Sequence, residues 1–117
     1  MKKFIGLILI QVIFLNQISH AQYSWTQLGS AINGEVPSDE SGEAVSINAN
    51  GERVAIGATR NDGNGSDAGH VRIYEWDGVS WNQLGLDIDG EAADDRSGTA
   101  VSINANGERV AIGATRN

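Results

Sequence analysis

The chain of 117 residues contains no cysteine. That excludes a disulfide framework, a lipid-modified cysteine and any thiolate chemistry. Lysine occurs only as Lys2 and Lys3, and proline only as Pro37. Histidine occurs twice, as His20 and His70, and no serine sits in a nucleophile elbow, so neither a nucleophilic triad nor a zinc site can be assembled from sequence alone. Outside the first residues no segment carries a helical period. These absences leave an all-β chain with no visible catalytic apparatus, and the expected catalytic, cofactor and metal residues are none.

The opening residues read as a secretory signal. Lys2 and Lys3 precede an apolar run from Phe4 to Leu15, and Ser19-His20-Ala21 places small residues where a signal peptidase cuts. That run is well short of the roughly 20 residues a bilayer-spanning helix needs. Residues 1–21 are therefore expected to be removed, leaving 96 residues with no membrane span. Cleavage takes two positive charges from a net charge of −7 and leaves −9, carried against arginines alone. Such a balance repels nucleic acid and anionic membranes, and it keeps an exported surface soluble.

What the chain does contain is a repeat. Ser46 to Asn61, SINANGERVAIGATRN, returns letter for letter as Ser102 to Asn117, an offset of 56 residues. The same offset aligns Trp25-Thr26-Gln27-Leu28-Gly29 with Trp81-Asn82-Gln83-Leu84-Gly85, and 28 of the 37 overlapping positions are identical. One supersecondary unit is being copied in series, and no single copy can bury its own apolar faces. Repeat 1 runs over 25–80 and a partial repeat 2 over 81–117, within a repeat region of 22–117. Because fewer than two periods are present, the chain is expected to be an N-terminal piece of a longer array.

Four short strands per period are expected, AVSIN, RVAIGA, HVRIYEW and SWNQLG. Asn50-Gly51 predicts a tight type I′ hairpin between the first two, and Asp77-Gly78 a second turn between the last two. Val45, Ile47, Val54 and Ile56 fall on one face, and Ala44, Ser46, Ala55 and Gly57 on the other. A strand with aliphatics on one side and small residues on the other is suited to close approach by neighbours on both. Tyr23 to Gly29 reads as a further strand with no first three before it, and is expected to pair with a distant unit and close a ring. Four antiparallel strands per unit at this period form the pattern of a β-propeller.

Ser41-Gly42, then Val54-Ala55-Ile56, then Gly57-Ala58-Thr59 resemble the three elements of the FG-GAP repeat, the blade of integrin-type propellers. In that family a phenylalanine-glycine pair opens the inner strand, a calcium loop of alternating Asp and Asn follows, and an apolar strand ends in Gly-Ala-Pro. The resemblance covers most of Ser41 to Trp76 and again Ser97 to Asn117, without the phenylalanine or the proline. With the signal and the absence of catalytic groups, the expected role is a secreted, non-enzymatic scaffold that binds protein or polysaccharide at the cell surface. The alternatives are a scaffold for a catalytic domain beyond Asn117 and a calcium-stabilised adhesion module.

Three loops are candidates for calcium. Ser46, Asn48 and Asn50 stand in the family's calcium loop, but Arg53 falls where a closing carboxylate would be needed to hold a cation at about 2.4 Å. That loop is expected to be an ion-free hairpin. Asp62, Asn64 and Asp67 in NDGNGSD alternate oxygens around glycines, and Asp87, Asp89 and Glu91 in 87–95 do likewise, with Ala31 and Asn33 replacing the two aspartates in the first copy. A glycine-rich turn is the favoured reading of the first, the replacements in the first copy weaken the second, and the sequence leaves calcium open at both. Trp25, Trp76 and Trp81 invite a sugar-stacking role, and packing over the outer strand is the simpler one. Asn64-Gly65-Ser66 fits a glycosylation acceptor.

Overall fold

The computed structural model describes residues 22–117, so the expected signal at 1–21 lies outside the described residues. Seven strands follow in order: β1 Ser41–Ile47, β2 Arg53–Ala58, β3 His70–Trp76, β4 Trp81–Gln83, β5 Ile88–Asp89, β6 Ser97–Ile103 and β7 Val110–Ala114. All strand pairs are antiparallel, and the described residues contain no helix. The first sheet has the order β1-β2-β3-β4 with β5 also on β3, and the second is the pair β6-β7. The four-stranded meander expected from one period is thus present, with β5 added.

The two faces of the hairpin fall as the alternation requires. Val45 lies opposite Ile56 and Ile47 opposite Val54, while Ala44 pairs with Gly57 and Ser46 with Ala55. The second copy keeps the same register, Val101 with Ile112 and Ser102 with Ala111. Both first strands carry a register shift at the same place, between Ser41 and Ala44 and between Ser97 and Ala100. Glu40 and Arg96 sit at φ +55° and +53° ahead of these bulges, and Gly42 and Gly98 at +95° and +90° within them. The bulge is therefore a property of the repeat, with glycine supplying the left-handed conformation at its centre.

The hairpin turn differs from the expected type I′. Of Asn50 and Gly51 only Gly51 has a positive φ, +76°. The Gly51 amide donates to the Asn48 carbonyl, and the Asn48 amide to the Arg53 carbonyl. This is a longer loop, a turn followed by a left-handed glycine. Its organiser is Asn48, whose Oδ1 accepts from the Glu52 and Arg53 amides at 3.1 and 2.9 Å. A buried side chain that satisfies two amides outweighs the two-residue turn signal. Tyr23 to Gly29 also departs from expectation, since it forms no strand and Trp25 is 99 % exposed.

The second sheet packs on the small-residue face of the first. A Cβ on Gly57 would run into the Gly98 carbonyl, and one on Gly98 would meet Gly57 Cα and the His70 carbonyl. Hydrogen bonds cross the same joint: Ile103 N to Ser46 Oγ at 3.1 Å, Ala49 N to the Ala105 carbonyl at 3.1 Å, and Arg53 Nη1 to the Gly107 carbonyl at 3.1 Å. Gly69 bridges to Ser97 in parallel. The core lies here, with Ala55, Ala58, Ala68 and Val71 fully buried.

Identical sequence therefore meets two environments. Ile47 is 59 % exposed, while its copy Ile103 is 9 % exposed. Ala55 is buried, while its copy Ala111 is exposed. The only difference is which face has a neighbour.

Candidate functional site

β3 presents His70, Arg72 and Tyr74 on the face turned away from the joint, since Val71 and Ile73 share the other face with Gly57 and Ala55. The short strand β5 then matters, because it sets His70 opposite Asp89 and Val71 opposite Ile88. Asp87, one step earlier, arrives on the same side as Asp89. The His70 ring is 1 % exposed, with Nδ1 at 3.6 Å from Asp87 Oδ2 and 4.0 Å from Asp89 Oδ1. Neither ring nitrogen has a hydrogen-bond partner among the described residues. Gln83 Nε2 donates to Asp87 Oδ1 at 2.6 Å and fixes that carboxylate.

A third acid comes from the loop ahead of β1. Glu35 Oε2 accepts from Asn61 Nδ2 at 3.0 Å, and the same amide donates to the buried Asp39 at 2.8 Å. Arg72 holds this loop from below, donating to the Asn33 carbonyl at 3.1 Å and lying 3.9 Å from Glu35 Oε1. Its guanidinium also stands 5.7 Å from the centre of the Tyr74 ring. Burial raises the Tyr74 phenol above its ordinary range, opposed by Arg72 and reinforced by Asp87 and Glu35. The phenol therefore stays protonated at neutral pH. Glu35, His70 and Asp87 each offer a ligand atom, and these atoms lie within 4.8 Å of one another.

The His70 ring is sealed from solvent, and the open side of the cluster is the one that Glu35 and Asp87 line. Imidazole nitrogen and carboxylate oxygen are donor types that a small divalent cation accepts.

The other sequence candidates separate. The Asn48 and Asn50 oxygens are taken up by the Glu52 and Arg53 amides, so both serve the turn. Arg53 pairs with Glu75 at 2.8 Å. In NDGNGSD, Asp62 Oδ1 accepts from the Asp67 amide, Asn64 Nδ2 donates to the Gly90 and Glu91 carbonyls, and Asp67 lies 4.0 Å from Arg96. That loop docks on the one that leads into β6. Within 87–95 the acids divide, Asp87 and Asp89 facing His70 while Asp95 accepts from the Ala92 amide. Asp39 makes the same contact with Val36, so this acid is the structural member of each copy.

Trp76 and Trp81 pack at 5.4 Å with ring planes tilted by 56°, and Gly29 lies against Trp76. Trp81 Nε1 donates to the Leu28 carbonyl at 3.0 Å. Trp81 also walls a groove of about 280 Å³ with Leu28, Ile32, Ile47 and Ile56. The segment before β1 thus covers part of the aliphatic face of the first unit. Among the described residues no helix is long and apolar enough to cross a membrane. Compared with family models, with curated proteins and with solved structures, the chain matches none of them.

Proposed function

We propose that this chain belongs to an exported, non-enzymatic scaffold whose units stack as the blades of a propeller, as the FG-GAP resemblance implies. Its loops would contact protein or polysaccharide at the cell surface. One observation carries this reading: Ile47 on the aliphatic face is 59 % exposed and its copy Ile103 9 %, while Ala55 on the small-residue face is buried and its copy Ala111 exposed. A unit of this kind is built to be covered by another. The two faces left open are the two that mate at the joint, aliphatic on the first unit and small-residue on the second.

The test is expression of the whole chain in a secreting host. The product is expected outside the cell, beginning at Gln22, and it should bind isolated cell-surface polysaccharide or intact cells without changing the polymer. Retention of the leader with the chain inside the cell would overturn export. Turnover of the polymer would overturn a non-enzymatic role.

A further inference from the structure

We propose that Glu35, His70 and Asp87 form a site for a divalent transition-metal ion of the zinc class. The ion would clip the loop ahead of β1 and the link between β4 and β5 to the same strand, β3. The site stands whether or not the units stack as blades.

The first support is the histidine. In a ring 1 % exposed, Nδ1 faces the carboxylates with no hydrogen-bond partner among the described residues, a costly arrangement that an ion at Nδ1 relieves. The second is spacing. A protonated imidazole paired with a carboxylate draws to about 2.7–2.9 Å, but His70 Nδ1 and Asp87 Oδ2 are 3.6 Å apart. Two ligands each about 2.1 Å from a tetrahedral ion lie about 3.4 Å from one another. The observed gap leaves room for an ion between the two atoms, and the Glu35 oxygen, within 4.8 Å of both, closes on the ion as it binds.

Charge and ligand type narrow the ion. Glu35, Asp87 and Asp89 bring three negative charges and Arg72 one positive, a surplus of two that a divalent cation cancels. Calcium takes six to eight oxygens, whereas one imidazole with two carboxylates suits a small N/O centre with a position left for water. The His70 side is closed, while Glu35 and Asp87 are 48 % and 29 % exposed in their side chains. An ion therefore enters from the carboxylate side. The Gln83 amide on Asp87 and the Asn61 amide on Glu35 orient the ligands from outside, as such sites require.

The copies differ at this point. Asp87 and Asp89 correspond to Ala31 and Asn33, so the loop ahead of β1 has no counterpart of the Asp87 ligand.

Zinc chloride titrated into the whole purified chain, stripped beforehand with a chelator, tests the proposal by calorimetry and by the ring nitrogen shifts of His70. One equivalent of zinc is expected to bind, to move the Nδ1 resonance and to raise the melting temperature. Asp87→Asn and Glu35→Gln, at partly exposed positions, should keep the circular dichroism spectrum and weaken zinc by at least about tenfold. Unmoved His70 resonances, or wild-type affinity in both variants, would overturn the site. Calcium binding there more tightly than zinc would overturn the assignment of the ion.

Discussion

Gly57 and Gly113 are the same residue of the repeat, and they should respond differently to a single methyl group. A Cβ at Gly57 meets the Gly98 carbonyl across the joint, while the nearest atoms to one at Gly113 belong to Ala100, with its Cβ at 3.3 Å. Gly57→Ala is expected to destabilise the chain by roughly 2 kcal/mol through overpacking. Gly113→Ala should stay within about 0.5 kcal/mol, because a small contact is offset by the reduced freedom of the unfolded chain. Urea unfolding of the two variants measures the difference. Equal effects would mean that the joint does not form in solution. Asn48 offers a second pair of this kind. Its oxygen serves two amides, whereas that of Asn104 serves the Arg109 amide alone. Asn48→Ala should cost about 1–3 kcal/mol and Asn104→Ala less than about 1 kcal/mol, again by urea unfolding.

At the level of strands and turns, the Asp77-Gly78 hairpin between β3 and β4 carries a pH dependence of its own. Hydrogen bonds from the Ser80 amide, then from the Val79 amide, hold the Asp77 carboxyl below its ordinary value. A depressed folded-state value means that the stabilisation is present above the ordinary aspartate range and is lost as pH falls through the folded value. The amide resonances of Val79 and Ser80 should report that loss below about pH 4, and Asp77→Asn should abolish it.

Much at this scale was legible in advance. The period-2 alternation placed β1, β2 and β3, and the repeat placed β6 and β7 by copying. The turn type was not legible, since Asn50-Gly51 signals a two-residue loop and only the structure reveals Asn48 folded back on two amides. Nor was the site. Glu35, His70 and Asp87 are far apart in sequence, and the link between them is the two-residue strand β5, too short for any alternation to announce. Tyr23 to Gly29 shows the opposite error: Trp25 copies Trp81, yet without a β3 beside it the segment forms no strand.

For the whole molecule, the open faces predict association. Val45 and Ile47 are bare at 62 % and 59 %, and Ala100, Ser102 and Ala111 are exposed on the opposite side of the second unit. Sedimentation of the chain should show head-to-tail oligomers that grow with concentration. Val45→Glu should leave the fold intact and abolish them, since that side chain touches solvent in the monomer. Ile103→Glu, in the buried copy of Ile47, should instead lower the melting temperature sharply. A species that stays monomeric at all concentrations would contradict the prediction.

The joint between units brings glycine backbone against carbonyl at Gly57 and Gly98, with Ile103, Ser46 and Arg53 around it, and each of these is a residue that both copies carry at the same place. A joint made from positions that recur in every copy needs no compensating substitution when a copy is added, which is compatible with Ser46–Asn61 and Ser102–Asn117 being identical.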